Sequence, residues 1–246
     1  MEYQEKLPRI RVSRRDMLKR VARFDQLKGF DGGLPDSKHP SAERTLYNVI
    51  GFQPPEGEGN GMQSPVGAKA SRMAAIKISE GFNMGYCKAY PGKGPMLHNH
   101  DTNETFICMT GTWRASWEDP KGNIDHVDLK PLDVISFPPG VSRRFENVTK
   151  GPKDKQSILM FVIGGDGPRA EFTRESMQTC VESGAWTPPG AKPMRRKAAA
   201  STVSARPLAS AKKAAKPATK AATKGTSKAT AKAPAKATSK VARKAK

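Results

Sequence analysis

From about residue 72 to residue 164 the chain is a succession of short runs with alternating apolar and polar residues, each closed by turn-forming residues and none separated by a helical repeat. The runs fall at 73–79, 84–90, 104–109, 112–117, 124–129, 133–137, 143–148 and 157–164. Thr110-Gly111, the stretch Glu118-Asp119-Pro120-Lys121-Gly122-Asn123, and Pro138-Pro139-Gly140 supply the turns. A period of two puts one side of each run against a core and the other against water. Many such strands with no helix to cover a sheet must pair face to face or close on themselves. The pattern therefore predicts an all-β sandwich or jelly-roll barrel.

The flanks read differently. Residues 1–71 form an N-terminal arm, rich in turns and too poor in apolar periodicity to build its own core, with Thr45–Ile50 as one short strand. Ser13 and Asp16 read as a capping pair opening a short amphipathic helix, with Met17, Val21, Phe24 and Leu27 on its apolar side. The stretch Ser13-Arg14-Arg15-Asp16-Met17-Leu18-Lys19 has the look of a twin-arginine export signal. The residues after it carry four charges in nine where that signal needs an apolar stretch, so export is rejected. The barrel is expected over 72–166. Residues 167–190 form its cap, with a closing helix over 173–183 that Thr173 opens and Gly184 ends.

Charge separates the last segment from the rest. Residues 191–246 hold 17 of the 43 Lys and Arg and no Asp or Glu, while the other 190 residues carry 26 basic and 23 acidic side chains. The tail thus supplies +17 of the net charge of +20, and the rest of the chain only +3. Within it a lysine recurs every four residues from Lys212 to Lys244, interrupted by Pro217, Gly225 and Pro234. With almost nothing apolar to bury, this segment is expected to be disordered. It is also expected to bind nucleic acid or another polyanion by counterion release, without base readout. Its Ala/Lys/Pro/Thr composition resembles the tails of linker histones and bacterial histone-like proteins. Cys87, Cys108 and Cys180 are odd in number and far apart, which fits no disulfide framework and points to a reducing, cytoplasmic setting. No apolar run approaches a membrane span.

The chemistry is concentrated between Gly92 and Gly111. His98 and His100, at i and i+2 of a strand, leave the same face, and a tight turn at 101–103 returns Glu104 beside them. Two imidazoles and one carboxylate make a facial triad for a divalent transition metal; the set favours Fe(II) and accommodates Mn, Co, Ni, Cu or Zn. His39 and His126 stand alone and are read as solvent-exposed. Trp113, Trp117, Phe106, Met96, Tyr90 and Phe145 are candidates for the pocket wall that the strand alternation assigns mainly to the core.

These residues resemble the first signature of the cupin family, G-x5-H-x-H-x3-E-x6-G, at every fixed position: Gly92, His98, His100, Glu104 and Gly111. The second signature, G-x5-P-x-G-x2-H-x3-N, is matched in part over 132–147. Pro138, Gly140 and Asn147 agree, Leu132 replaces the first glycine, and Arg143 stands where the family has a fourth histidine ligand. The resemblance, to a single-domain cupin, covers about residues 72–165. It implies a jelly-roll β-barrel with a ligand site inside, and dimerisation. Arginine does not give up its proton and cannot ligate a metal. An inward Arg143 either pairs with Glu104 in a metal-free pocket or clamps the anion of a small organic substrate beside a three-ligand metal. The first functional expectation is therefore a metalloenzyme of dioxygenase-like, oxidoreductase character acting on a small anionic organic molecule. The alternative is a non-catalytic, ligand-binding or regulatory cupin tethered to nucleic acid by its basic tail.

Overall fold

The computed structural model describes residues 7–52 and 64–190; the basic segment 191–246, with the disorder and polyanion binding expected of it, lies outside the described residues. In chain order the elements are α1 (Arg14–Leu18), β1 (Thr45–Ile50), α2 (Ala68–Ser71), β2 (Phe82–Ala89), β3 (His98–His100), β4 (Glu104–Cys108), β5 (Trp113–Glu118), β6 (Ile124–Leu129), β7 (Val134–Phe137), β8 (Arg143–Asn147), β9 (Ser157–Gly164), β10 (Ala170–Phe172) and α3 (Arg174–Glu182). They form two five-stranded antiparallel sheets, ordered β1-β2-β9-β4-β7 and β10-β3-β8-β5-β6. From β2 to β5 and again from β6 to β10 each strand lies in the opposite sheet from the one before. This alternation makes the all-β fold a jelly roll.

The strand periodicity explains the core. Alternate residues of β9 point inward, burying Leu159, Phe161 and Ile163, and β4 buries Phe106 and Cys108 in the same way. The facing sheet contributes Trp113, Ala115 and Phe145, and Phe106 and Phe145 meet edge to face with ring centroids 4.6 Å apart. Each such side chain is worth about 1.5–3 kcal/mol of burial. Cys87, Cys108 and Cys180 are all buried, unpaired small hydrophobes.

Four expectations need correction. Residues 73–79 are not a strand; Ile76 forms a single bridge, to Ile50. The helix opened by Ser13 lasts five residues and buries none. Met17 and Val21 stay about half exposed, and a separate 3-10 turn at Phe24–Gln26 sets Phe24 against Tyr47 and Tyr86. β10 carried too little apolar alternation in three residues to be seen in advance, yet it pairs in full with β3. The segment before residue 72 contributes to the barrel itself: β1 pairs with β2, and Leu34, Leu46, Phe52 and Val66 belong to the core. At the other end α3 spans Arg174–Glu182, with the Thr173 hydroxyl accepting from the Ser176 N–H and Gly184 at φ +71° just beyond its end.

Two backbone positions are sterically constrained. Gly94, on the approach to β3, lies so close to β8 that a Cβ would fall 1.9 Å from the Phe145 carbonyl oxygen. Leu132, in the glycine position of the second signature, has φ +77° and is 79% exposed.

Candidate metal centre

β3 is the origin of the site. His98 and His100 point inward and Asn99 outward, and both imidazoles are buried, at 8% and 2% exposure. The strand is held on both sides. His98 lies opposite Phe172 of β10 and Arg143 of β8, and His100 lies opposite Ala170. The turn at 101–103 is fastened by the Arg169 N–H donating to Asp101 (2.8 Å) and the Gly164 N–H donating to the Asn103 carbonyl (3.0 Å). It carries the chain into the other sheet, where Glu104 opens β4 between Phe137 and Ile163 and is 3% exposed. The imidazole nitrogens of His98 and His100 and the carboxylate of Glu104 lie within 4.8 Å of one another.

Hydrogen bonds fix the imidazoles in a ligating form. His98 Nδ1 donates to the Met96 carbonyl (2.8 Å) and His100 Nδ1 to the Arg169 carbonyl (3.1 Å), which leaves each Nε2 as the lone-pair atom. Burial, reinforced by the Arg143 charge, lowers His98 to about 4 and holds His100 well below the usual imidazole range. Both rings are therefore neutral near pH 7. Burial pushes the Glu104 carboxyl up, and the Arg143 guanidinium opposes that push.

The His100 Nε2 atom has no hydrogen-bond partner and sits 3.4 Å from Glu104 Oε2. With Nδ1 already donating, this places a lone pair against a carboxylate oxygen, two acceptors with no donor between them. A cation placed between them removes the repulsion, so the donor set fits a divalent metal.

Arg143 is fully buried. Its Nε–H donates to Glu104 Oε2 (3.0 Å) and its Nη1 to the Val141 carbonyl (2.9 Å), while Nη2 has no partner. The β8 register sets it between His98 and Trp117, behind the carboxylate. Arg143 thus makes an ion pair with Glu104, and it is not among the residues lining the cavity. The cavity, about 30 Å³, is lined by His98, His100, Glu104, Phe145 and Phe172 and by a different arginine, Arg44. That volume admits roughly two water-sized groups. Among the aromatic residues considered from the sequence, Phe145 lines the cavity, Trp113 and Phe106 are core, and Tyr90 is 41% exposed. His126 is exposed, and half-buried His39 caps the turn at 40–42.

Sequence reasoning missed Arg44 and its partner Asp36. Both are buried and joined by two hydrogen bonds of 3.0 and 3.1 Å. Both lie in the segment read as an arm, and no local motif links them to the cavity.

No protein-family model and no curated protein matches the chain. Solved structures do. An oxalate oxidase in complex with the substrate analogue glycolate is 16% identical at a TM-score of 0.34, over 38% of this chain and 46% of that one. A Lactobacillus farciminis oxalate decarboxylase formate complex is 12% identical at 0.41, and vicilin from Corylus avellana (hazelnut) is 11% identical at 0.41. Each of these two aligns over 63% of this chain and 36% of its own. The chain thus spans less than half the length of these three. Among the described residues no helix is long and apolar enough to cross a membrane.

Proposed function

We propose that this is a cupin-type metalloprotein in which His98, His100 and Glu104 hold a divalent transition metal, Fe(II) for preference, and that the pocket acts on a small anionic organic molecule. The carrying observation is the orphaned His100 Nε2 facing Glu104 Oε2 at 3.4 Å, both buried between the two sheets. A metal so held would supply Lewis acidity and, as Fe(II), access to oxygen chemistry. The chain's own groups do the rest. The Met96 and Arg169 carbonyls hold both imidazoles in the right tautomer. Arg143 pairs with Glu104 and orients its carboxylate. Phe145 and Phe172 exclude water.

Charge supports the anionic character of the ligand. A dication beside one carboxylate and the buried Arg143 leaves an excess of positive charge away from water, which an anion offsets. The cavity volume restricts that anion to a few heavy atoms. The test is oxygen uptake by protein reconstituted with Fe(II), assayed across a panel of small carboxylates. Uptake that depends on one carboxylate and disappears with His100→Ala is expected; no uptake with any of them refutes the enzymatic reading.

The second reading, a ligand-binding or regulatory barrel tethered to nucleic acid, draws on two features. Arg143 occupies the position of a fourth ligand, and residues 191–246 hold 17 basic side chains with no acidic one. It predicts ligand binding without turnover and duplex DNA binding that falls steeply with salt.

A further inference from the structure

The pair formed by Asp36 and Arg44 is more deeply buried than a structural tie between loops requires. Asp36 is 0% and Arg44 8% exposed. Arg44 donates from Nη1 to Asp36 Oδ2 (3.1 Å) and from Nη2 to Oδ1 (3.0 Å), and Nη1 also reaches the Ala42 carbonyl (2.7 Å). The two-pronged grip fixes the carboxylate plane. Its Oδ2 then accepts the Met96 N–H at 3.0 Å, 60 residues further along the chain. Met96 is the residue whose carbonyl accepts from His98 Nδ1 at 2.8 Å. An unbroken series of contacts thus runs from Arg44 through Asp36 and the backbone of Met96 to the imidazole of His98.

We infer that Asp36, held by Arg44, is a positioning residue for His98. It anchors Met96 so that the Met96 carbonyl keeps the His98 Nδ1–H bond and turns Nε2 toward His100 and Glu104. The stretch around Met96 is tied at its two ends by the Gly94 N–H donating to the Ser41 carbonyl (3.0 Å) and the Thr173 N–H donating to the Leu97 carbonyl (3.1 Å), and Asp36 holds the Met96 peptide between them. Residues 94–97 lie outside any strand, and Gly94 is there because β8 leaves no room for a Cβ. Proline at 95 donates no N–H, so the Met96 N–H is the first donor of the stretch after Gly94. A peptide N–H given to a buried, doubly held carboxylate makes a charge-assisted bond, stronger than one to a neutral acceptor. His100 has a separate support in the Arg169 carbonyl, so the two imidazoles are oriented independently. The pair also carries charge into the site. Arg44 lines the cavity beside His98, and its charge is balanced there by Asp36 alone among the described residues. Removing the carboxylate both frees Met96 and leaves an uncompensated cation beside the metal position. The inference rests on the metal reading proposed above.

The experiment is titration of the metal-free full-length chain with Co(II), followed by calorimetry and by the visible absorption of the bound ion, for the parent, Asp36→Leu, Asp36→Leu/Arg44→Met and Leu129→Ala; leucine leaves the Met96 N–H no side-chain acceptor. Leu129 is a buried core residue of β6 with no contact to the series, so its variant controls for loss of stability alone. Loss of a supporting hydrogen bond around a ligating histidine weakens metal binding by roughly 10–100-fold. Asp36→Leu is expected to fall in that range with an altered visible spectrum, and Leu129→Ala to bind like the parent. The double variant strands no buried charge and still lacks the acceptor for the Met96 N–H, so it tests the anchor even if Asp36→Leu fails to fold; it is expected to bind at least tenfold more weakly than the parent. Parental affinity and spectrum in either Asp36 variant overturn the inference. Failure of the parent itself to bind Co(II) overturns the metal reading and this inference together.

Discussion

Replacing Arg143 with methionine tests the ion pair behind the candidate site. The guanidinium is fully buried, its Nε 3.0 Å from Glu104 Oε2, and Glu104 is itself 3% exposed. Methionine keeps much of the volume and deletes the charge. What remains is a carboxylate in a low-dielectric interior without its counter-charge, the case in which breaking a buried pair costs about 3–5 kcal/mol. For a folded unit of this size that corresponds to a fall in Tm of roughly 10 °C. The assay is urea unfolding of metal-free protein for the parent, Arg143→Met, Glu104→Gln and the double variant, at pH 5 and pH 8. The coupling from the cycle is expected to be larger at pH 8. Burial already raises the Glu104 carboxyl, and removing Arg143 raises it further, so at acidic pH the protonated group needs no partner. A cost below about 1 kcal/mol, or one that does not change with pH, would refute the view that Arg143 serves as the counter-charge of Glu104.

Other consequences follow from single residues. Leu132→Gly relieves a left-handed backbone that costs a non-glycine residue about 1–2 kcal/mol, offset in part by glycine's larger entropy in the unfolded chain; a net gain of about 0.5–1 kcal/mol is expected in urea unfolding. His98 titrates at about 4 in the fold and near 6.5 unfolded, so the unfolded chain takes up the proton first. The metal-free protein should lose up to about 3 kcal/mol through His98 as pH falls from 6.5 to 4, and His98→Asn should show a correspondingly shallower acid slope. Deleting residues 191–246 is expected to abolish duplex DNA binding, which in the full chain should weaken with a log–log salt slope of about 0.9 per phosphate neutralised; gel shifts across a salt series check both.

The parts of the fold legible in the sequence are those governed by local pattern. Period-two alternation marks β4, β5, β8 and β9 because one face of each is buried. The spacing of His98, His100 and Glu104 gives their convergence, since strand geometry and a three-residue turn leave little freedom. What stayed hidden depends on contacts distant in sequence. Ile76 lies in an apolar run like those of the true strands, yet neighbouring segments leave it a single bridge. An inward Arg143 entered the sequence reading only as a condition, and its burial against Glu104 rather than on the cavity wall depends on how the two sheets face each other. Asp36 and Arg44 reach the site from turn-rich sequence that carries no periodic signal.

The central claim is that His98, His100 and Glu104 together form one metal site. Elemental analysis of the full-length protein as purified, beside His98→Ala/His100→Ala prepared identically, tests it most directly. The account predicts close to one equivalent of a divalent transition metal per chain in the parent and almost none in the variant. Equal metal content in the two, or none in the parent even after incubation with Fe(II) or Mn(II), would contradict it.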